Sequence, residues 1–140
     1  MSPGISTTQR VAPFLYFDDV SASIDWLRAA FGCTERFRLE GPGGVVHHGE
    51  LAFGDGVVMV GNVGPRNAGP LPTSVRSGVY VFVDDVDAHC ASARSAGAEI
   101  VSEPIDLPFG DRLYVALDNE GHEWYFAQHV RDVPLSDLST

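Results

Sequence analysis

The segment Phe17-Asp18-Asp19-Val20 can be laid over Val83-Asp84-Asp85-Val86, and the likeness continues: Ala22, Arg28 and Ala30 fall on Ala88, Arg94 and Ala96. Such a repeat constrains the fold more than any local propensity, because each copy must solve the same packing problem. In each copy an alternating segment (Val11 to Phe17; Val79 to Val83) runs into the Asp-Asp step and then into apolar residues at helical spacing. The pattern predicts a strand, an Asp or Ser cap, and helices over about Ser21 to Phe31 and Asp87 to Ala96. These stop near Gly32 and Gly97, where a left-handed residue closes the helix. Three strand candidates follow the first helix (Thr34 to Leu39, Val45 to Phe53, Val57 to Val63). Three more follow the second (Glu99 to Val101, Leu113 to Leu117, His122 to His129). The loop 41–44 and the turns Gly54-Asp55-Gly56 and Asn119-Glu120-Gly121 separate them. The expectation is an α+β chain of two βαβββ modules, about 10–63 and 78–130, with a Pro-containing connector at 64–77 and a polar tail at 131–140. With 140 residues the two modules form a single domain, since neither half is large enough to be independent.

Composition narrows the partners. At 44% apolar residues the chain can bury a core, while a formal charge of -10 and a pI near 4.6 oppose nucleic acid and anionic membranes. No stretch approaches the roughly 18 apolar residues of a membrane span, and no basic, then apolar, leader opens the chain, so a cytoplasmic protein is expected. Cys33 and Cys90 lack any CxxC or CxH spacing and are read as small buried residues. A GxSxG elbow, a Walker loop and a Rossmann fingerprint are all missing, which demotes acyl-transfer and nucleotide chemistry.

Side-chain alternation sorts the strands into faces. Leu15 and Phe17 share one face of the first strand, and Ala12, Phe14 and Tyr16 the other. In the second copy Val79, Val81 and Val83 oppose Gly78, Tyr80 and Phe82. One face must pack on the following helix, whose Val20, Ile24, Leu27 and Phe31 form a stripe. The remaining face is aromatic. The last strand repeats the pattern, with His122, Trp124 and Phe126 on one side and Glu123, Tyr125 and Ala127 on the other. Such faces either fill a β core or line a pocket for a flat or apolar ligand.

The stretch Phe17 to Gly32, repeated from Val83 to Ala98, resembles the strand-to-helix signature of the vicinal-oxygen-chelate superfamily (glyoxalase, bleomycin-resistance protein, dioxygenase). His48-Gly49-Glu50-Leu51, Gly110-Asp111-Arg112 and Asp118 to Trp124, continuing through Ala127 to Val130, resemble its PhnB-like branch, and the likeness spans about Arg10 to Val130. The resemblance implies curved mixed sheets around a cavity, and often a homodimer with modules exchanged between chains. The implied activities range from metal-assisted isomerisation, epoxide opening and ring cleavage to metal-free sequestration of antibiotics, so fold alone does not fix function. The metal ligands of that superfamily would fall here at about Ala12, Val60, Gly78 and Tyr125. None of these is a usable side-chain ligand for a divalent ion, which needs about three protein donors. The expectation is therefore no cofactor, the alternative being one divalent metal per cavity through other ligands.

Polar residues elsewhere offer further chemistry. His48 and Glu50, two apart on a strand, share a face as a base with its orienter, a ligand pair or a solvated rim pair, with His47 pointing away. His122 is read as bracing its hairpin, and His89 and His129 as surface residues. Arg112, beside Asp111, either clamps a ligand carboxylate or forms a surface ion pair. The function expected is metal-independent binding of an aromatic or cationic metabolite or antibiotic by a homodimer. Its ligand-binding residues would be Phe14, Tyr16, His48, Glu50, Tyr80, Phe82, Arg112, Glu123 and Tyr125. The alternative is a lyase, isomerase or dioxygenase using a metal or the catalytic pair His48 and Glu50.

Overall fold

In the computed structural model, which describes residues 9–62 and 78–138, the two copies of the repeat fold alike. They fall into two compact units, Met1–Ser74 and Val75–Thr140. In the first, β1 (Phe14–Phe17) leads into α1 (Val20–Phe31), then β2 (Thr34–Glu40), β3 (Val46–Phe53) and β4 (Gly56–Asn62). The sheet order is β1-β4-β3-β2, with β1 parallel to β4 and the other pairs antiparallel. In the second, β5 (Val79–Phe82), α2 (Val86–Ser95), β6 (Glu99–Asp106), β7 (Asp111–Leu117) and β8 (Glu123–His129) repeat this as β5-β8-β7-β6. Each unit is thus βαβββ with a four-stranded mixed sheet. No helix among the described residues is long and apolar enough to cross a membrane. The predicted connector and Val63 lie outside the described residues.

Local chemistry sets the element ends. The Asp19 carboxylate accepts from the Ala22 amide at 3.0 Å and that of Asp85 from the Ala88 amide at 3.1 Å, so the repeated Asp-Asp step caps both helices. Gly32 closes α1 at φ 75°, a left-handed conformation that favours glycine. β1 starts at Phe14 rather than Val11, directly after Pro13, which has no amide to give a ladder. β6 runs past Val101 to Asp106 and includes Pro104; it lies at the sheet edge, where proline is tolerated, and its register shifts between Ser102 and Ile105. The start of the tail is docked, because the Val130 and Arg131 amides both donate to the Gly110 carbonyl, at 2.8 and 3.2 Å.

Each helix buries its stripe on one sheet face. Val20, Ile24, Leu27 and Phe31 meet Phe17, Leu51, Val58 and Val60, and fully buried side chains of this size contribute about 1.5–3 kcal/mol each. Gly49 lets α1 come close, for a Cβ there would lie 2.7 Å from Ile24 Cδ1. In the second unit Val86, Cys90 and Ala93 cover Trp124, Phe126 and Tyr114. His89 is not a surface residue: its ring is half-buried 4.3 Å from that of Phe126, with Nδ1 2.6 Å from the Tyr114 hydroxyl. Residues 86, 89, 90 and 93 share one helix face, so spacing alone turns His89 inward.

Candidate functional site

The strand registers assemble two rows across the face of the first sheet that α1 leaves uncovered. One row runs Phe14, Met59, Glu50, Phe37, and the next Tyr16, Gly61, His48, Leu39. The matching rows of the second unit are Tyr80, Tyr125, Val115, Ser102 and Phe82, Ala127, Leu113, Ile105. The contrast in exposure is large. Phe14, Tyr16, Tyr80 and Phe82 are 40, 37, 43 and 64% exposed, whereas Phe17, Val60, Trp124 and Phe126 beneath the helices are at 0%.

The rings touch one another and lie on glycine. Phe14 sits 4.9 Å from Tyr16 and 5.6 Å from His48, and Phe37 stands 6.0 Å from His48. A Cβ on Gly61 would come within 2.7 Å of the Phe14 ring, so only glycine leaves that ring its place. In the second unit Tyr80 and Tyr125 stand nearly parallel at 6.3 Å, and Tyr80 meets Phe82 at 5.4 Å. The Tyr80 hydroxyl donates to Asp111 at 2.6 Å and that of Tyr125 to Glu123 at 2.7 Å. Burial and then the Asp111 hydrogen bond raise the Tyr80 phenol, and the Glu123 hydrogen bond raises that of Tyr125. Both stay protonated at neutral pH. Each hydroxyl is committed to its own carboxylate, so the ring faces are what the second sheet offers a ligand.

His48 and Glu50 share the uncovered face, but they do not form a base with its orienter. Glu50 is fully buried and its carboxylate meets Arg36 Nη1 at 3.0 Å, while the His48 ring lies among Phe14 and Phe37. Arg36 reaches this face because the β2 register shifts between Glu35 and Phe37, and a bulge re-aims the side chain there. Strict alternation does not foresee this. Arg112 falls on the helix side, held at 3.0 Å by both Asp87 and Asp106, because Asp111 takes the uncovered face. It is no ligand clamp there. Asp111 is the acid that the sequence reading undervalued; alternation counted back from Leu113 would have found it. His122 braces its hairpin, with Nδ1 3.0 Å from the Asp118 carboxylate, which also accepts from Trp124 Nε1 at 3.0 Å.

The positions corresponding to metal ligands do not suit an ion. Val60 is fully buried against α1, and Met59 holds the uncovered-face position that corresponds to Tyr125. At Gly78 the space for a side chain is filled by the Tyr125 ring, with Cε2 2.7 Å from a built Cβ. The four positions supply no carboxylate and no imidazole, and no group of three His, Cys, Asp or Glu among the described residues could hold a metal.

A cleft of about 430 Å³ opens elsewhere, at the end of the first sheet, lined by Asp18, Ser21, Arg38, Glu40, Val45 and Asn62 among others. Its arginine is already bound to Ser21, Asp25 and Glu35, and Asn62 to the Asp18 carbonyl. The cleft joins α1 to the sheet and presents no aromatic ring, so the uncovered faces are the better candidate.

A βαβββ repeat with an uncovered face on each sheet defines a class, and the comparisons agree. The chain belongs to the Glyoxalase/Bleomycin resistance protein/Dioxygenase superfamily, whose family model matches residues 8–126. Among its relatives is Mb0911c, an uncharacterized protein of Mycobacterium bovis, 33% identical over 140 residues that cover 96% of this chain and 92% of that protein. Among solved structures, TioX from Micromonospora sp. ML1 is 34% identical, with a TM-score of 0.70 over 87% of this chain and 99% of that one. A glyoxalase/bleomycin resistance protein/dioxygenase family enzyme from Burkholderia phytofirmans PsJN, 18% identical, shares the fold with a TM-score of 0.70, over 84% of this chain and 95% of that one.

Proposed function

We propose that this chain is a cytoplasmic, homodimeric small-molecule binding protein of the glyoxalase/bleomycin-resistance type. It works without a metal and sequesters an aromatic or cationic metabolite or antibiotic against its uncovered aromatic faces. The observation that carries the reading is the exposure of Phe14, Tyr16, Tyr80 and Phe82 on sheets whose other faces hold the buried core. Protein surfaces seldom leave clustered rings uncovered without a use for them. The acidic charge of -10 adds a field that favours cations. Acid-base catalysis by His48 is the weaker reading, since Glu50 is engaged by Arg36 and does not orient the imidazole.

Isothermal titration calorimetry with a panel of planar and cationic antibiotics tests the reading. Intrinsic fluorescence is less suited, because Trp124 is buried under α2 and Trp26 meets Phe31 of α1 edge-to-face. Saturable binding, weakened about tenfold by Phe14→Ala or Tyr80→Ala, is expected, as for an aromatic anchor residue. A panel without any saturable heat overturns it.

A further inference from the structure

Glu50 stands apart from the other buried carboxylates of this protein. Asp118, at 6% exposed, accepts from the Glu120 and His122 amides and from Trp124 Nε1. Asp111, at 7%, accepts from the Tyr80 hydroxyl. Glu50 is at 0%, and neither of its oxygens accepts a hydrogen bond from a described residue. The 3.0 Å approach of Arg36 Nη1 is a charge contact outside hydrogen-bond geometry. A desolvated carboxylate is costly, and the cost is ordinarily offset by several well-aligned donors.

The fold itself does not require a charge at this point. Matching the two registers, Phe14-Met59-Glu50 against Tyr80-Tyr125-Val115, puts an apolar valine in the second unit where the first has Glu50. Arg36 is under-used as well. Arg38, two residues on, binds Ser21, Asp25 and Glu35, whereas Arg36, with 28% of its side chain exposed, makes one polar contact among the described residues.

We infer that Glu50 is the receptor for a cationic N–H donor group of the ligand, an ammonium, amidinium or guanidinium, which takes the place of the Arg36 guanidinium. The inference rests on the binding role proposed for the first unit's uncovered face and names the chemical class that this face selects. As the ligand's cation arrives, Arg36 turns to solvent from its partly exposed position, so no buried charge is left bare. Phe37 and Met59 flank Glu50 in the row, with Phe14 beyond Met59, so a flat body attached to the cation meets ring surface.

The test uses benzamidine and benzamide, which match in shape and differ in charge, titrated into the full chain by two-dimensional amide NMR. Benzamidine binding about tenfold more tightly, with Glu50→Gln removing the preference but not the residual benzamide binding, is the expected result for a charge-assisted contact. Equal affinities, or a preference that survives in Glu50→Gln, overturn the inference while the binding reading stands. If neither compound shifts resonances on this face, the inference falls, and the binding reading falls with it when the calorimetric panel is also silent. Should the Glu50→Gln spectrum show an unfolded chain, Arg36→Met decides. Freed of its competitor, Glu50 then binds benzamidine more tightly than in the parent, a gain that misfolding cannot produce; an unchanged or weaker affinity overturns the inference.

Discussion

Asp118 binds the turn between β7 and β8 to the core, for its one carboxylate takes the Glu120 and His122 amides at 2.9 and 3.0 Å and the Trp124 indole at 3.0 Å. Asp118→Ala leaves these donors unpaired beside a fully buried tryptophan and should cost about 3 kcal/mol, at about 1–3 kcal/mol for each buried group stranded, some of which water reaches. Urea unfolding measures this, and Asp118→Asn should recover part of it. His129 is exposed between Asp132, at 2.6 Å, and Asp111, at 3.2 Å. These two acids, Asp132 foremost, raise its pKa above the ordinary 6.5. A raised folded pKa means that its stabilising contribution is complete below the unfolded value and is lost as pH rises through the folded one. An NMR titration of His129 should therefore give a midpoint above 6.5, and Asp132→Asn should lower it. Burial pushes the Cys33 thiol up to about 12, and Cys90 is buried too. A thiol reagent at neutral pH should label neither in the native protein and both after unfolding.

At the scale of elements, the repeat gives each helix the same start, and Asp19→Ala or Asp85→Ala should each cost about 1 kcal/mol in chemical denaturation. The exit from β8 depends on backbone instead. Gly110 has φ 103°, and a Cβ there would lie 2.0 Å from the Arg131 carbonyl oxygen. Gly110→Ala must therefore displace the chain that follows β8, and we expect a loss of more than about 2 kcal/mol, with amide exchange rising first at Val130 and Arg131. Both helices, their caps and the alternation of β1, β5 and β8 were legible in the sequence, because each depends on neighbours within a few residues. The length of β6 was not. Pro104, without an amide proton, disfavours a strand locally, and the edge position of β6 allows it.

For the whole molecule, the donor set predicts that the full chain, mixed with excess Zn²⁺ or Ni²⁺ and examined by native mass spectrometry, holds no stoichiometric ion. One ion per chain would return it to the metalloenzymes of its superfamily. The same spectra report subunit number and test the proposed homodimer. By itself the sequence determined the two βαβββ units and the aromatic side of each sheet, because a repeat, caps and side-chain period are local properties of the chain. Only the tertiary structure decided what stands beside those rings. Strand pairing and its bulge brought Arg36 to Glu50, strand phase gave Arg112 to Asp87 and left Asp111 to Tyr80, and the Tyr125 ring filled the space at Gly78. These neighbours are far apart in the chain, and which residues meet depends on a register that no single strand encodes.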